Sequence, residues 1–211
     1  MTLHLPDPTE RDDLGAFTAR VVRLDAGARV VLRGSRGPDG DRVTAWAPTP
    51  FDALATRSVR GTLGPAELAV PATALLTALT VERAARVDPG PGRPWVGELP
   101  PTDGWTVVDD VPAAEIEALA ERGLALAREH AGPHGPPASL LDQTVLTVSA
   151  DGVPAPVHVP LRCLFALSGM GFLGESEDAV RVSATGSWLR LDARFGAVVR
   201  RRIAALPLLV G

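Results

Sequence analysis

Apolar positions along the chain follow two rhythms. Over 9–24 they recur at Leu14, Phe17, Val21, Val22 and Leu24, near the 3.6-residue period of one helix face. Thr9 and the acidic residues after it suit a helix start. The runs 28–34 and 42–47 are short and β-rich, and Gly37-Pro38-Asp39-Gly40 between them contains an Asp-Gly step that favours positive φ, so a hairpin is predicted. A third run, 54–63, predicts another strand, with Ala55, Arg57, Val59 and Gly61 in mixed alternation. Pro71 then falls where a first helical turn tolerates proline, and Leu75, Leu76, Leu79, Thr80 and Arg83 follow with one apolar face. The N-terminal half therefore reads helix, three strands, helix.

From Asp88 the pattern breaks into Pro89-Gly90-Pro91-Gly92-Arg93-Pro94-Trp95 and then Leu99-Pro100-Pro101, a density of Pro and Gly that regular structure does not hold. Trp95 and Trp105 predict that this loop packs on the protein body, because a free linker gains nothing by exposing large aromatics. Helical rhythm returns over 112–130, with a stripe of Ile116, Leu119, Ala120, Gly123, Leu124 and Ala127. Glutamates weight its start, and Arg128 and His130 its end. Beyond a Gly/Pro break at 132–137, the runs 144–149 and 156–159 flank the turn Asp151-Gly152 as a second hairpin. An apolar helix is predicted over 161–172, and 179–184 with 188–193 form a third hairpin around Thr185-Gly186-Ser187. The expected fold class is α+β, two helix/β-hairpin halves with short antiparallel sheets. The boundaries expected are 1–87, a Pro/Gly/Trp-rich connecting loop over 88–104, and 105–211. Both halves repeat helix, hairpin and helix without a residue-level match that would mark a duplication.

Composition narrows the chemistry. The 211 residues, 45% hydrophobic and 22% charged, suit one large domain or two small ones. There is no Lys, Asn or Tyr, and Ile occurs only at Ile116 and Ile203; all four have AT-rich codons, so the source is read as a GC-rich genome, an actinobacterium. Without Lys there is no Schiff base, no pyridoxal phosphate linkage and no P-loop lysine, and without Tyr no phenolic acid or base. Cys163 is the single cysteine and makes no internal disulfide, and the first residues do not resemble a signal peptide, so a cytoplasmic location is expected. The longest uncharged apolar run, 163–174, falls far short of a bilayer span, so no membrane role is expected.

Three stretches carry a resemblance: Leu99-Pro100-Pro101-Thr102-Asp103-Gly104-Trp105, Met170-Gly171-Phe172-Leu173, and Gly186-Ser187-Trp188-Leu189-Arg190-Leu191-Asp192-Ala193-Arg194-Phe195-Gly196. They resemble recurrent segments of a family of uncharacterised actinobacterial proteins of unknown function. The resemblance implies no activity and no site.

Candidate chemistry is sparse. His130 and His134 are four apart, a metal-ligand spacing, but Gly132 and Pro133 interrupt the helix that would align them; a favourable interaction of His130 with a helix C-terminus explains it better. Asp142 and His158 would complete such a site only by long-range proximity. Cys163 lies among Leu164, Phe165 and Leu167, the setting of an inert thiol. Gly169-Met170-Gly171 reads as a helix C-cap instead of a phosphate loop. Asp109 with Asp110, and Glu175, Glu177 and Asp178, read as capping and solvated acids. Arg200, Arg201 and Arg202, with Arg181, Arg190 and Arg194 before them, form the one basic concentration; a helix followed by a basic hairpin is what a winged-helix module offers to DNA, although the net charge of −4 argues against a whole-surface role on nucleic acid. The apolar segment 203–211 is expected to dock in the core or to cross to a second subunit. The leading expectation is a non-catalytic binding or interaction protein acting as a homodimer, with a protein partner and no cofactor. Its rivals are a nucleic-acid-binding regulator using the basic C-terminal hairpin and a small-molecule enzyme or metal site near the histidines.

Overall fold

The computed structural model describes residues 2–81, 84–130, 137–150 and 156–202. Strand β1 (Thr2–His4) precedes helix α1 (Pro8–Leu24), whose N-cap Asp7 accepts a hydrogen bond from the Thr9 amide at 2.8 Å. Strands β2 (Arg29–Ser35), β3 (Arg42–Pro48) and β4 (Leu54–Arg60) form a meander. The third predicted strand divides at Gly61, because β5 (Thr62–Gly64) turns away to pair with β1. Strand β6 (Glu67–Pro71) returns to β2, helix α2 (Ala72–Val81) follows, and the short β7 (Arg86–Val87) pairs with β1. Pro71 ends β6 instead of opening the helix.

The second half opens with β8 (Thr106–Pro112) and helix α3 (Ala113–Glu129), then the single turn α4 (Ala138–Leu141). Strands β9 (Thr144–Val148) and β10 (Val157–Pro160) pair with each other before helix α5 (Leu161–Met170). Gly171, at φ 61°, ends that helix; its amide and that of Phe172 bond back to Ser168 and Leu167 carbonyls, so the predicted glycine cap is present. A second meander closes the described chain: β11 (Ala179–Ala184), β12 (Trp188–Ala193) and β13 (Gly196–Arg201).

The fold is α+β, and its hairpins do not stay separate. They join into one eight-stranded sheet in the order β6-β2-β3-β4-β13-β12-β11-β8, accompanied by a three-stranded and a two-stranded sheet. The order reads outward from its centre as a pseudo-twofold. Helix α1 leads into β2, β3 and β4 as α5 leads into β11, β12 and β13; β6 leads into α2 as β8 leads into α3. Within the sheet the halves meet where β4 and β13 pair, at Thr56 with Ala197, Ala55 with Val198 and Leu54 with Val199.

Alternation along these strands creates two apolar layers. One face carries Val30, Leu32, Val43, Ala45, Ala55 and Val198 into a core shared with the helices. There Phe17 of α1 stacks on Phe172 at 6.2 Å between ring centres, and both are fully buried; burying such a side chain is worth about 1.5–3 kcal/mol. The opposite face carries Val31, Trp46, Ala69, Trp188 and Val199, covered by Trp95, Leu99 and Trp105. All four tryptophans therefore meet on one face. The Pro/Gly/Trp-rich loop lies across it as predicted, tied to β6 where Arg93 and Ala69 exchange backbone hydrogen bonds of 2.9 Å.

Helices α3 and α5 approach so closely at Gly123 that an added Cβ would lie 2.3 Å from Leu161 Cδ1. Gly123→Val is expected to lower stability by about 1–3 kcal/mol through overpacking, read as a reduced urea midpoint with an unchanged denaturant slope.

Candidate functional site

The strongest concentration of charge sits where the halves join. Turning from β3 to β4, the chain places Asp52 at φ 54°, a left-handed conformation that aspartate tolerates better than most residues. This presents the Phe51 and Asp52 carbonyls to two arginines. Arg162, near the start of α5, is 7% exposed. Its Nε donates to Asp142 Oδ1 at 2.8 Å and its Nη1 to the Phe51 carbonyl at 3.2 Å. Arg200 of β13 donates from Nε to the Asp52 carbonyl at 3.1 Å and from Nη2 to Asp52 Oδ2 at 3.0 Å, with Asp142 Oδ1 3.4 Å away. Two cations and two carboxylates from four separate elements thus compensate one another.

The arginines read from sequence as a basic patch are each engaged inside the chain. Arg201 pairs with Glu98 of the crossing loop. Arg202 donates from Nη1 to the Thr185 carbonyl at 2.9 Å, and Arg181 forms a two-pronged pair with Asp110. Being hydrogen-bonded to Arg181 holds the Asp110 carboxyl below the usual carboxylate range. Clefts open on either side of Arg200 and Arg202: one of about 570 Å³ lined by Asp52, Glu98 and Trp188, the other of about 230 Å³ lined by Asp142, His158 and Leu189.

His130 caps α3, its Nδ1 3.0 Å from the Leu126 carbonyl, which agrees with the helix-terminus reading. His134 and the segment 203–211 lie outside the described residues, while His158 is 3.2 Å from Thr147 Oγ1. Among the described residues no three His, Cys, Asp or Glu side chains gather as a metal site, and no helix is long and apolar enough to cross a membrane. Asp178 accepts from the Glu175 amide at 2.8 Å and pairs with Arg194, a turn-capping role as expected, whereas Asp109 and Asp110 lie within β8 and cap no helix: Asp109 accepts from the Asp110 amide at 2.8 Å and Asp110 pairs across the sheet with Arg181. Cys163 is buried, which pushes its thiol up to about 12 although Arg200 and Arg162 pull it down.

The network itself escaped the sequence reading. Asp142 was visible only as a distant neighbour of the histidines, and Asp52 sits in a turn with no periodicity to mark it. The Thr49-Pro50 step before Phe51 was the one local sign of a shaped turn.

The chain is similar in structure to Caulobacter crescentus pol III beta (16% identity, TM-score 0.59, covering 98% of this chain and 66% of that one). It is similarly related to the DNA polymerase III subunit beta of Pseudomonas aeruginosa (13%, 0.57, 98% and 65%) and to the DNA polymerase sliding clamp of Bacillus subtilis (13%, 0.55, 98% and 65%). It spans about two thirds of the length of these clamps. By sequence the chain belongs to the family described as domain of unknown function DUF8185, matched over residues 100–205, and residues 1–97 match a second such domain, DUF8010. No curated protein matches it in sequence.

Two outcomes test this geometry. Arg162→Ala is expected to lower stability by about 1.5–3 kcal/mol, the worth of hydrogen bonds to charged groups, whereas Arg201→Ala, which breaks a pair exposed on both sides, is expected to cost under about 1 kcal/mol and less still in 1 M salt; urea melts of both variants at two salt concentrations decide it. Cys163 should resist alkylation in the folded protein at pH 8 and react once unfolded. Because its folded pKa is raised, the native state keeps a proton that the unfolded state gives up, so stability should fall as pH rises from about 9 toward 12.

Proposed function

We propose that the protein is a non-catalytic interaction protein that works as a cytoplasmic homodimer on a clamp-type scaffold. The observation that carries this reading is the architecture, shared over 98% of the chain with proteins whose names make them subunits of a polymerase assembly. The sheet also ends in an open edge. Among the described residues β8 is hydrogen-bonded to β11 alone, and an unpaired strand edge is a surface onto which another chain adds. Composition adds that the source is an actinobacterium.

The same likeness raises a nucleic-acid reading, and the charges weigh against it. On α1, Glu10, Asp12 and Asp13 balance Arg11, Arg20 and Arg23; on α3, four glutamates outnumber Arg122 and Arg128. Neutralising phosphates needs clustered positive charge in excess, and Arg200, Arg201 and Arg202 already have partners. Helix α5 is buried from Leu161 to Leu167, so it has no face to lay in a DNA groove as a winged-helix module would.

Native mass spectrometry and light scattering are expected to give twice the 22.0 kDa of one chain. A single-chain mass at every concentration overturns the homodimer. Duplex DNA is expected to show no binding near roughly 0.15 M salt; tight binding with a steep salt dependence would replace this reading with the nucleic-acid one.

A further inference from the structure

On the tryptophan face of the sheet, beside the crossing loop, lies a cavity of about 410 Å³ in which the network of Arg162 and Arg200 takes no part. A row of residues across the joint lines it. Trp46 is opposite Thr56, Thr56 opposite Ala197, and Ala197 opposite Asp192, so these side chains share one face. Two residues farther along β3 and β4, Thr44 is opposite Ser58 on the same face. Small residues at Gly196 and Ala197 leave the space open, and Pro101 and Thr102 of the crossing loop supply one wall. The lining carries an excess of donors. Arg57 pairs with Asp13 and Arg190 with Asp192, each at 2.6 Å, whereas Arg42 has no carboxylate partner among the described residues. Its Nε donates to Ser58 Oγ at 3.0 Å and its Nη2 to the Ser58 carbonyl at 3.2 Å, which leaves Nη1 unused. The Thr44 and Ser58 hydroxyls are 3.2 Å apart; one hydroxyl hydrogen makes that bond, and the other has no acceptor among the described residues whichever way the pair is turned. Thr56 is 2% exposed, and its Oγ1 is buried without a hydrogen-bond partner. Burying a hydroxyl unpaired costs stability, and native structures keep few such groups.

We infer that this cavity binds a small organic carboxylate. One guanidinium without a counter-charge calls for one negative charge, and the planar fork of Arg42, with a hydroxyl hydrogen to spare beside it, matches the two oxygens of a carboxylate. Asp192 in the same lining opposes a second negative charge, so a phosphate dianion fits less well. Trp46, Pro101 and Ala197 offer the carbon part of the ligand an apolar wall. Thr56 adds a second polar contact. It lies two residues along β4 from Ser58, roughly 7 Å away, so the ligand carries a second oxygen about one ring's length from its carboxylate, and that oxygen accepts from the Thr56 hydroxyl. The volume lies within the roughly 300–1,000 Å³ of small-molecule pockets.

The test titrates the full-length protein with 4-hydroxybenzoate, benzoate and inorganic phosphate, followed by ligand-observed NMR. At roughly 0.05 M salt, 4-hydroxybenzoate is expected to bind with a dissociation constant on the order of 1 mM, more tightly than benzoate and far more tightly than phosphate. Arg42→Gln is expected to weaken both carboxylates at least about tenfold. Thr56→Val is expected to weaken 4-hydroxybenzoate about fivefold, to leave benzoate unchanged, and to raise the thermal melt of the protein without ligand, because the unpaired hydroxyl is gone. That rise separates a lost contact from a damaged fold. No saturable binding of 4-hydroxybenzoate up to about 20 mM overturns the inference, as does binding that Arg42→Gln leaves unchanged. Phosphate binding more tightly than the carboxylates overturns it as well, and so does a lowered melt in Thr56→Val.

Discussion

Everything in this molecule depends on three residue pairs. Strands β4 and β13 meet through Thr56, Ala55 and Leu54 opposite Ala197, Val198 and Val199, and that short ladder turns two sets of four strands into one sheet. Backbone hydrogen bonds of this number contribute a few kcal/mol at most, so the junction also relies on what flanks it. On the helix side Phe17 stacks on Phe172, and Arg23 Nη2 donates to the Gly169 carbonyl at 3.2 Å. On the other side the tryptophan layer runs beneath the crossing loop. The joint is narrow in hydrogen bonds and broad in apolar contact.

The charge network follows from that joint. Once Leu54 and Val199 are opposite each other, Arg200 is carried past Asp52, and α5 brings Arg162 beneath both. Asp142, just after α4, supplies the second carboxylate. Burying a guanidinium is costly unless its donors are used, and Arg162 uses them on Asp142 and on the Phe51 carbonyl. The side chains that looked like a basic surface are therefore structural. They lock the turn at Asp52, the start of α5 and the end of β13 into one arrangement, in which Phe51 meets Phe165 edge-to-face.

The crossing loop shows how a segment without regular structure becomes part of a core. Trp95, Leu99 and Trp105 lie on the sheet, and the Trp105 indole N–H donates to the Pro101 carbonyl at 3.0 Å while Arg190 sits 5.9 Å over its ring. Prolines limit the conformations this stretch loses on packing, which lets a loop of this length cover a sheet face at moderate entropic cost.

The sequence by itself determined the local elements. The helical periods of α1, α3 and α5, the Asp-Gly hairpin, the glycine cap at Gly171 and the packing of the tryptophan loop all follow from side-chain spacing and backbone preference within a few residues. Strands β1, β6, β7 and β8 were not marked, and β5 was read as the end of one run with β4, because these strands are short and their partners are set by tertiary pairing. The relation between the halves was hidden for a different reason: the unit of helix and three strands comes first in the N-terminal half and last in the C-terminal half, so the two do not align in order. Only the tertiary structure decided that Arg200 faces Asp52 and Asp142 instead of a phosphate. Pairing across 148 residues leaves no local trace, since it arises from sheet register and not from the neighbours of either residue.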